Sequence, residues 1–149
     1  MGDVADAALA EGGRVVGVIP DPLATKELLH EGLTEQHVVR NMHERKALMA
    51  SRANAFLALP GGIGTFEEFF EILTWAALGL HNKPIGLLNV EGYFNPLLGL
   101  LEHAAAERFV RPEHLALIIV SDDPEGLASD ILTHVPPSPG PKYINLDQT

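Results

Sequence analysis

Two carboxylates, Glu67 and Glu68, stand just beyond an uncharged, glycine-rich turn, PGGIGT, from Pro60 to Thr65. Glycines at Gly61, Gly62 and Gly64 can take positive φ and let backbone N–H groups approach a ligand closely. Thr65 is expected to cap the helix that follows and to offer a hydroxyl, while the helix start supplies unpaired N–H groups and partial positive charge. Such a turn can cradle a phosphate. A carboxylate beside a phosphate is repelled by it, which makes sense mainly if the acid acts elsewhere on the ligand, for instance on a carbon centre gaining positive charge. Two alternatives stay open. The glycines could serve only the sterics of a strand-to-helix turn, and Glu67 and Glu68, placed in the first helical turn, could only complement the helix dipole. Glu68 and Glu71 flank an apolar stripe of Phe66, Phe69, Phe70 and Leu73, whose i, i+3, i+4, i+7 spacing marks it as core.

A second group of chemistry-bearing residues lies in MHERKALM, Met42 to Met49. Adjacent Arg45 and Lys46 could bind a phosphate or orient a carboxylate. For that stretch alone, a solvated helix with a methionine edge in the core is the simpler account. Other chemistries find no support. The seven histidines show no metal-binding spacing, and His43 reads as a surface or packing residue. No GxSxG elbow, Walker A loop or GxGxxG fingerprint is present.

The elements that must position these residues alternate. Residues 3–10 read as helix, stopped by Gly12-Gly13, and RVVGVIP as a buried strand closed by proline. Asp21 to Thr34 is mixed, a loop with at most a short helix. Asn41 is expected to cap a helix running to Arg52; AFLALP is a strand, and Thr65 to about Leu80 a long helix. PIGLLNV is a third strand, GYFNPLLGLLEHAAAERF mostly helix, LALIIVSD a fourth strand, and PEGLASDILTHV a last helix capped by Asp122-Asp123. Strands apolar on both faces and separated by helices indicate an α/β fold, a parallel sheet with helices on both faces. Residues 1–135 are expected to form one domain, and the proline-rich 136–149 an extended or disordered tail.

Bulk properties narrow the partners. A chain of 149 residues fits one domain, able to bury roughly 68–70% of its unfolded surface. The formal net charge of −10 disfavours binding to nucleic-acid polymers, leaving room for a small anion where local donors prevail. No apolar run reaches the roughly 18–20 residues of a membrane span, and MGDVADAALAEGG lacks the apolar core of a secretory signal. Cysteine is absent, which fits a cytoplasmic location and removes thiolate chemistry.

Taken together, MHERK and PGGIGTFEE resemble the signatures MHxRK and PGGxGTxxE of the LOG family, the cytokinin riboside 5′-monophosphate phosphoribohydrolases. TWAALGLHNKPIGLLNVEGYFNPLL is also similar to that family, and the likeness runs from Met1 to about Val135. The resemblance implies a Rossmann-like fold, a homodimer, no cofactor or metal, and hydrolysis of the N-glycosidic bond of an AMP-like nucleoside 5′-monophosphate to free base and ribose 5-phosphate. Arg45 and Glu68 match its catalytic arginine and glutamate; Lys46, Gly61, Gly62, Gly64 and Thr65 match substrate and phosphate positions. The chemistry agrees, since cleavage builds oxocarbenium character on C1′ that a carboxylate can stabilise, or for which it can activate water. Arg45 would either hold Glu68 ionised and oriented or contact the substrate. The label "lysine decarboxylase", carried by many members, has no support in a chain with four lysines and nothing resembling a pyridoxal phosphate site.

Two departures accompany the likeness. Ala77 occupies a position where relatives carry glutamine, and the chain opens at Met1-Gly2, where relatives reach the end of a glycine-rich turn that follows two strands and a helix. The expectation is a chain truncated relative to the family, in which VVGVIP and AFLALP have unpaired edges or pair anew. A non-catalytic nucleotide-binding module or a dimerisation subunit is the alternative function that this shortening suggests.

Overall fold

The computed structural model describes residues 2–24, 30 and 32–135; the expected tail over 136–149, and part of the mixed segment after Asp21, lie outside them. The chain divides into two compact units between Ala53 and Asn54.

The first unit contains helix α1 (Gly2–Ala10), strand β1 (Val16–Pro20), strand β2 (Glu35–Val39) and helix α2 (Met42–Arg52). The glycine pair stops α1 as expected. Gly12 turns at φ +76° and the Gly13 N–H donates to Ala8 O at 2.8 Å, where a Cβ on Gly13 would sit 2.8 Å from that same oxygen. β1 and β2 run parallel, with Val16 opposite Glu35 and Pro20 opposite Val39. Pro20 is buried and passes directly into a short 3₁₀ turn, Asp21–Leu23.

β2 is a strand that the sequence pattern did not announce. Its residues, EQHVV, alternate between half-buried and exposed, so they lack the continuous apolar run that marks a strand covered on both faces. The expected cap of α2 is present: the Asn41 side chain accepts from the Glu44 N–H at 2.9 Å. The Glu44 carboxylate reaches back to the Arg40 N–H at 2.9 Å and pairs with the Arg40 guanidinium.

Glu35 anchors a charged cluster across this unit. Arg52 donates to its two oxygens at 2.7 and 2.9 Å, His37 Nε2 lies 2.6 Å from Oε1, and Arg14 approaches to 3.6 Å. The Arg52 hydrogen bonds first, and His37 second, hold the Glu35 carboxyl down at a pKa of about 2. A carboxylate whose pKa is lower folded than unfolded adds stability that is complete above about 4.5 and is lost as pH falls towards 2. Glu35→Gln is therefore expected to lower stability at neutral pH, where the carboxylate's contribution is complete, and to flatten the acid limb of the stability–pH curve between about 4.5 and 2. Thermal melts of both proteins across that window check this.

The second unit holds β3 (Phe56–Ala58), α3 (Ile63–Ala77), β4 (Ile85–Leu88), α4 (Asn95–Ala106), the single turn α5 (Pro112–Leu115), β5 (Ile118–Ser121) and α6 (Pro124–Thr133). Its sheet is parallel, in the order β3-β4-β5, with Phe56 opposite Ile85 and Ile85 opposite Ile118. All four residues of the central strand, IGLL, are buried, as its uninterrupted apolar run predicts. Leu87, Phe94 and Leu127 are fully enclosed, at no more than 1% exposure. Gly86 lets α6 close on β4: a Cβ there would meet Ile131 Cδ1 at 2.7 Å. Asp123 caps α6 as expected, accepting from the Gly126 N–H at 2.8 Å ahead of Pro124.

Between α3 and β4, His81 is fixed in one neutral tautomer. Its Nδ1 accepts from the Lys83 N–H at 3.1 Å, so Nε2 carries the proton and donates to Ile72 O at 3.0 Å. Burial lowers its pKa. Among the described residues, β1 pairs with a strand on one side only, β2, and β3 on one side only, β4. No helix of the described residues is long and apolar enough to cross a membrane.

Candidate active site

The glycine turn leaves β3 at its carboxyl end and enters α3, the junction where open parallel sheets hold their ligands. Its local geometry corrects three expectations. None of Gly61, Gly62 and Gly64 takes positive φ; the described glycines that do are Gly12, Gly79 and Gly92. The helix starts at Ile63, with Gly62 as its cap in an extended conformation (φ −90°, ψ −158°), so Thr65 sits within the first turn and donates its N–H to Gly62 O at 3.0 Å. Glu67 and Glu68 consequently fall beyond the first turn, which contains no acidic residue. Threonine is a favoured cap and glycine a poor helix former, which is why the boundary reads two residues late in the sequence.

The three glycines differ in what requires them. A Cβ on Gly61 would lie 2.3 Å from Thr65 Oγ1 and 3.1 Å from its Cβ, so Gly61 is needed for the turn to pack on Thr65. A Cβ on Gly62 or Gly64 would meet nothing within 4 Å. Gly64 lies inside the helix, where alanine is favoured over glycine by about 1 kcal/mol. Neither φ nor contact with any described residue requires glycine at these two positions. Their backbone borders open space at the positive end of a fifteen-residue helix.

Along α3, Phe69 and Leu73 are buried and Phe66 and Phe70 pack against the same core, as their spacing predicts. Glu68 is half-buried at the margin of that stripe, whereas Glu67 is exposed. Gly61, Gly62, Gly64, Thr65 and Glu68 are thus gathered on one loop and the two helical turns after it.

Arg45 and Lys46 belong to the first unit, in α2, and both are half-buried. Arg45 Nε donates to Val18 O of β1 at 3.3 Å, which fixes the guanidinium against the strand. One residue that contacts the turn from outside it escaped sequence reasoning. Tyr93, assigned above to the helix beginning at Gly92, precedes α4 and donates its hydroxyl to Gly61 O at 2.5 Å. The available signal was the preceding pair Glu91-Gly92, whose turn propensity was outweighed by the long apolar run behind it.

Parallel strands joined through helices, with a glycine turn opening the helix after β3, define a Rossmann-like α/β protein. Residues 1–131 match the family model described as possible lysine decarboxylase, and the chain belongs to that family. A cytokinin riboside 5′-monophosphate phosphoribohydrolase of Rhodococcoides fascians is 58% identical over 132 residues, covering 88% of this chain and 67% of the relative. A probable enzyme of the same name from Oryza sativa subsp. japonica is 48% identical over 136 residues, 91% of this chain and 60% of the relative. A third, from Arabidopsis thaliana, is 44% identical over 136 residues, 91% of this chain and 64% of the relative. The chain spans about two thirds of the length of these curated relatives, or less.

Proposed function

We propose that this chain is a phosphoribohydrolase of nucleoside 5′-monophosphates, with cytokinin riboside 5′-monophosphates and AMP-like compounds as substrates. The C1′–N bond to the base breaks, water's oxygen bonds to C1′, and its proton leaves with the base, giving free base and ribose 5-phosphate. Gly61, Gly62, Gly64 and Thr65 receive the 5′-phosphate on backbone N–H groups and the Thr65 hydroxyl, with Lys46 as a further substrate contact. Glu68 carries the chemistry: its carboxylate stabilises oxocarbenium charge at C1′ or activates water. Arg45 is the second catalytic residue. No cofactor enters this reaction.

The observation that carries this proposal is the unexplained glycine at Gly62 and Gly64, bordering open space at the start of α3, with a half-buried carboxylate shortly after on the same helix. The names of the relatives support the substrate class. The protein acts as a homodimer in the cytoplasm, a location consistent with the lack of cysteine. Incubation with AMP and with N6-isopentenyl-AMP should release base and ribose 5-phosphate in equal amounts. Release of neither base overturns the proposal.

A further inference from the structure

β3 and β4 are neighbouring parallel strands, so the loops that leave their carboxyl ends lie side by side. The loop after β4 is knitted into a rigid turn. Asn89 donates its backbone N–H to Ser121 O at 2.8 Å, its Oδ1 accepts from the Phe94 N–H at 2.7 Å, and its Nδ2 donates to Asn95 Oδ1 at 2.8 Å. Gly92, at φ +72°, admits the Asn95 side chain, which a Cβ there would approach to 2.5 Å. Phe94, 1% exposed, packs edge-on against Phe66 of α3 and against the Tyr93 ring, with centroids 6.4 and 5.0 Å away. The Tyr93 ring is thereby held in place, and its hydroxyl meets Gly61 O at 2.5 Å.

That hydrogen bond has a directional consequence. The Gly61–Gly62 peptide is trans, like every other described here, so its C=O and N–H point in opposite directions. Fixing the Gly61 carbonyl towards Tyr93 turns the Gly62 N–H away from it. The missing side chain of Gly62 also borders open space. We infer that Tyr93 is a positioning residue: its hydroxyl sets the plane of the Gly61–Gly62 peptide and so aims a backbone donor at the substrate's phosphate. This rests on the phosphate-site reading proposed above, and adds to it a residue outside the glycine turn that sets phosphate affinity without touching the substrate.

Tyr93→Phe keeps the ring and its packing and removes only the hydroxyl. The KM for AMP is expected to rise roughly 3- to 10-fold, the factor that one hydrogen bond's net worth implies. kcat should stay within about twofold, and inorganic phosphate should weaken as a competitive inhibitor by the same factor as KM. A role confined to structure would lower kcat and the melting temperature without singling out phosphate. An active Tyr93→Phe protein with wild-type KM and wild-type phosphate inhibition overturns the positioning role and leaves the functional proposal standing, as does a variant losing kcat alone. If the wild-type chain releases no base, the functional proposal fails; the positioning role then stands only if inorganic phosphate stabilises the wild-type chain more than Tyr93→Phe, and falls otherwise.

Discussion

Glu68→Gln is expected to lower kcat for AMP hydrolysis by roughly 10²–10⁴-fold, the range removed with a positioned general base or an electrostatic stabiliser of the transition state. The amide matches the carboxylate in size, so packing at the edge of the Phe69–Leu73 stripe is conserved. Glu68 is half-buried, not enclosed, and the exchange should leave the melting temperature close to wild type. KM should change little, because the charge is needed where C1′ becomes cationic and not where the ground state binds. Arg45→Ala should also fall steeply, but Arg45 Nε additionally bonds Val18 O of β1, so part of that loss would be structural. Glu68→Gln is the more conservative probe, because it keeps the size of the side chain where Arg45→Ala does not. Steady-state kinetics on a folded variant decide the matter: a kcat within threefold of wild type would remove Glu68 from the chemistry. Exposed Glu67, one position away, serves as control, and Glu67→Gln should have no comparable effect.

What the sequence disclosed depended on whether a feature is local. IGLL reads as a central strand because a strand buried on both faces must be apolar throughout, and all four of its residues are buried. Asn41 and Asp123 read as caps because a short polar side chain ahead of a helical run has few other uses, and both accept the backbone N–H three residues on. β2 was not legible, since EQHVV is polar at every position but two and its identity as a strand comes from pairing with β1. The start of α3 was misplaced because favourable chemistry at Thr65 outweighed the weaker signal that an extended glycine can itself cap a helix. Within the glycine turn, residue types were legible and their reasons were not. Positive φ, close approach to a ligand and turn sterics were all open as reasons for glycine; no positive φ occurs, Gly61 is required by contact with Thr65, and Gly62 and Gly64 by contact with no described residue. Tyr93 reaches Gly61 across 32 residues of chain, a separation that local pattern cannot register.

Gly64→Ala should make the protein more stable and a poorer enzyme. The added methyl meets no atom within 4 Å and sits in a helix, where alanine is the better residue by about 1 kcal/mol, so the melting temperature should rise by a few degrees. The same methyl would stand in the open space into which the turn's N–H groups are proposed to receive the phosphate. Pushing the phosphate off one charge-assisted hydrogen bond, worth about 1.5–3 kcal/mol, corresponds to roughly a 10- to 100-fold rise in KM. Gly62→Ala should weaken AMP binding similarly with at most a small loss in melting temperature, because φ −90° is open to any residue but alanine is a poorer helix cap than glycine. Gly61→Ala behaves oppositely: its Cβ collides with Thr65 Oγ1 at 2.3 Å, so it should cost stability before it costs anything else. The signature lies in the signs. Glycines kept for turn sterics would lose stability on substitution at all three positions, with KM following the loss of fold. Glycines kept for a ligand lose affinity by more than any change in stability accounts for. Thermal melts and AMP kinetics on the three alanine variants separate these outcomes, and an unchanged KM in both Gly62→Ala and Gly64→Ala would place the phosphate somewhere other than the start of α3.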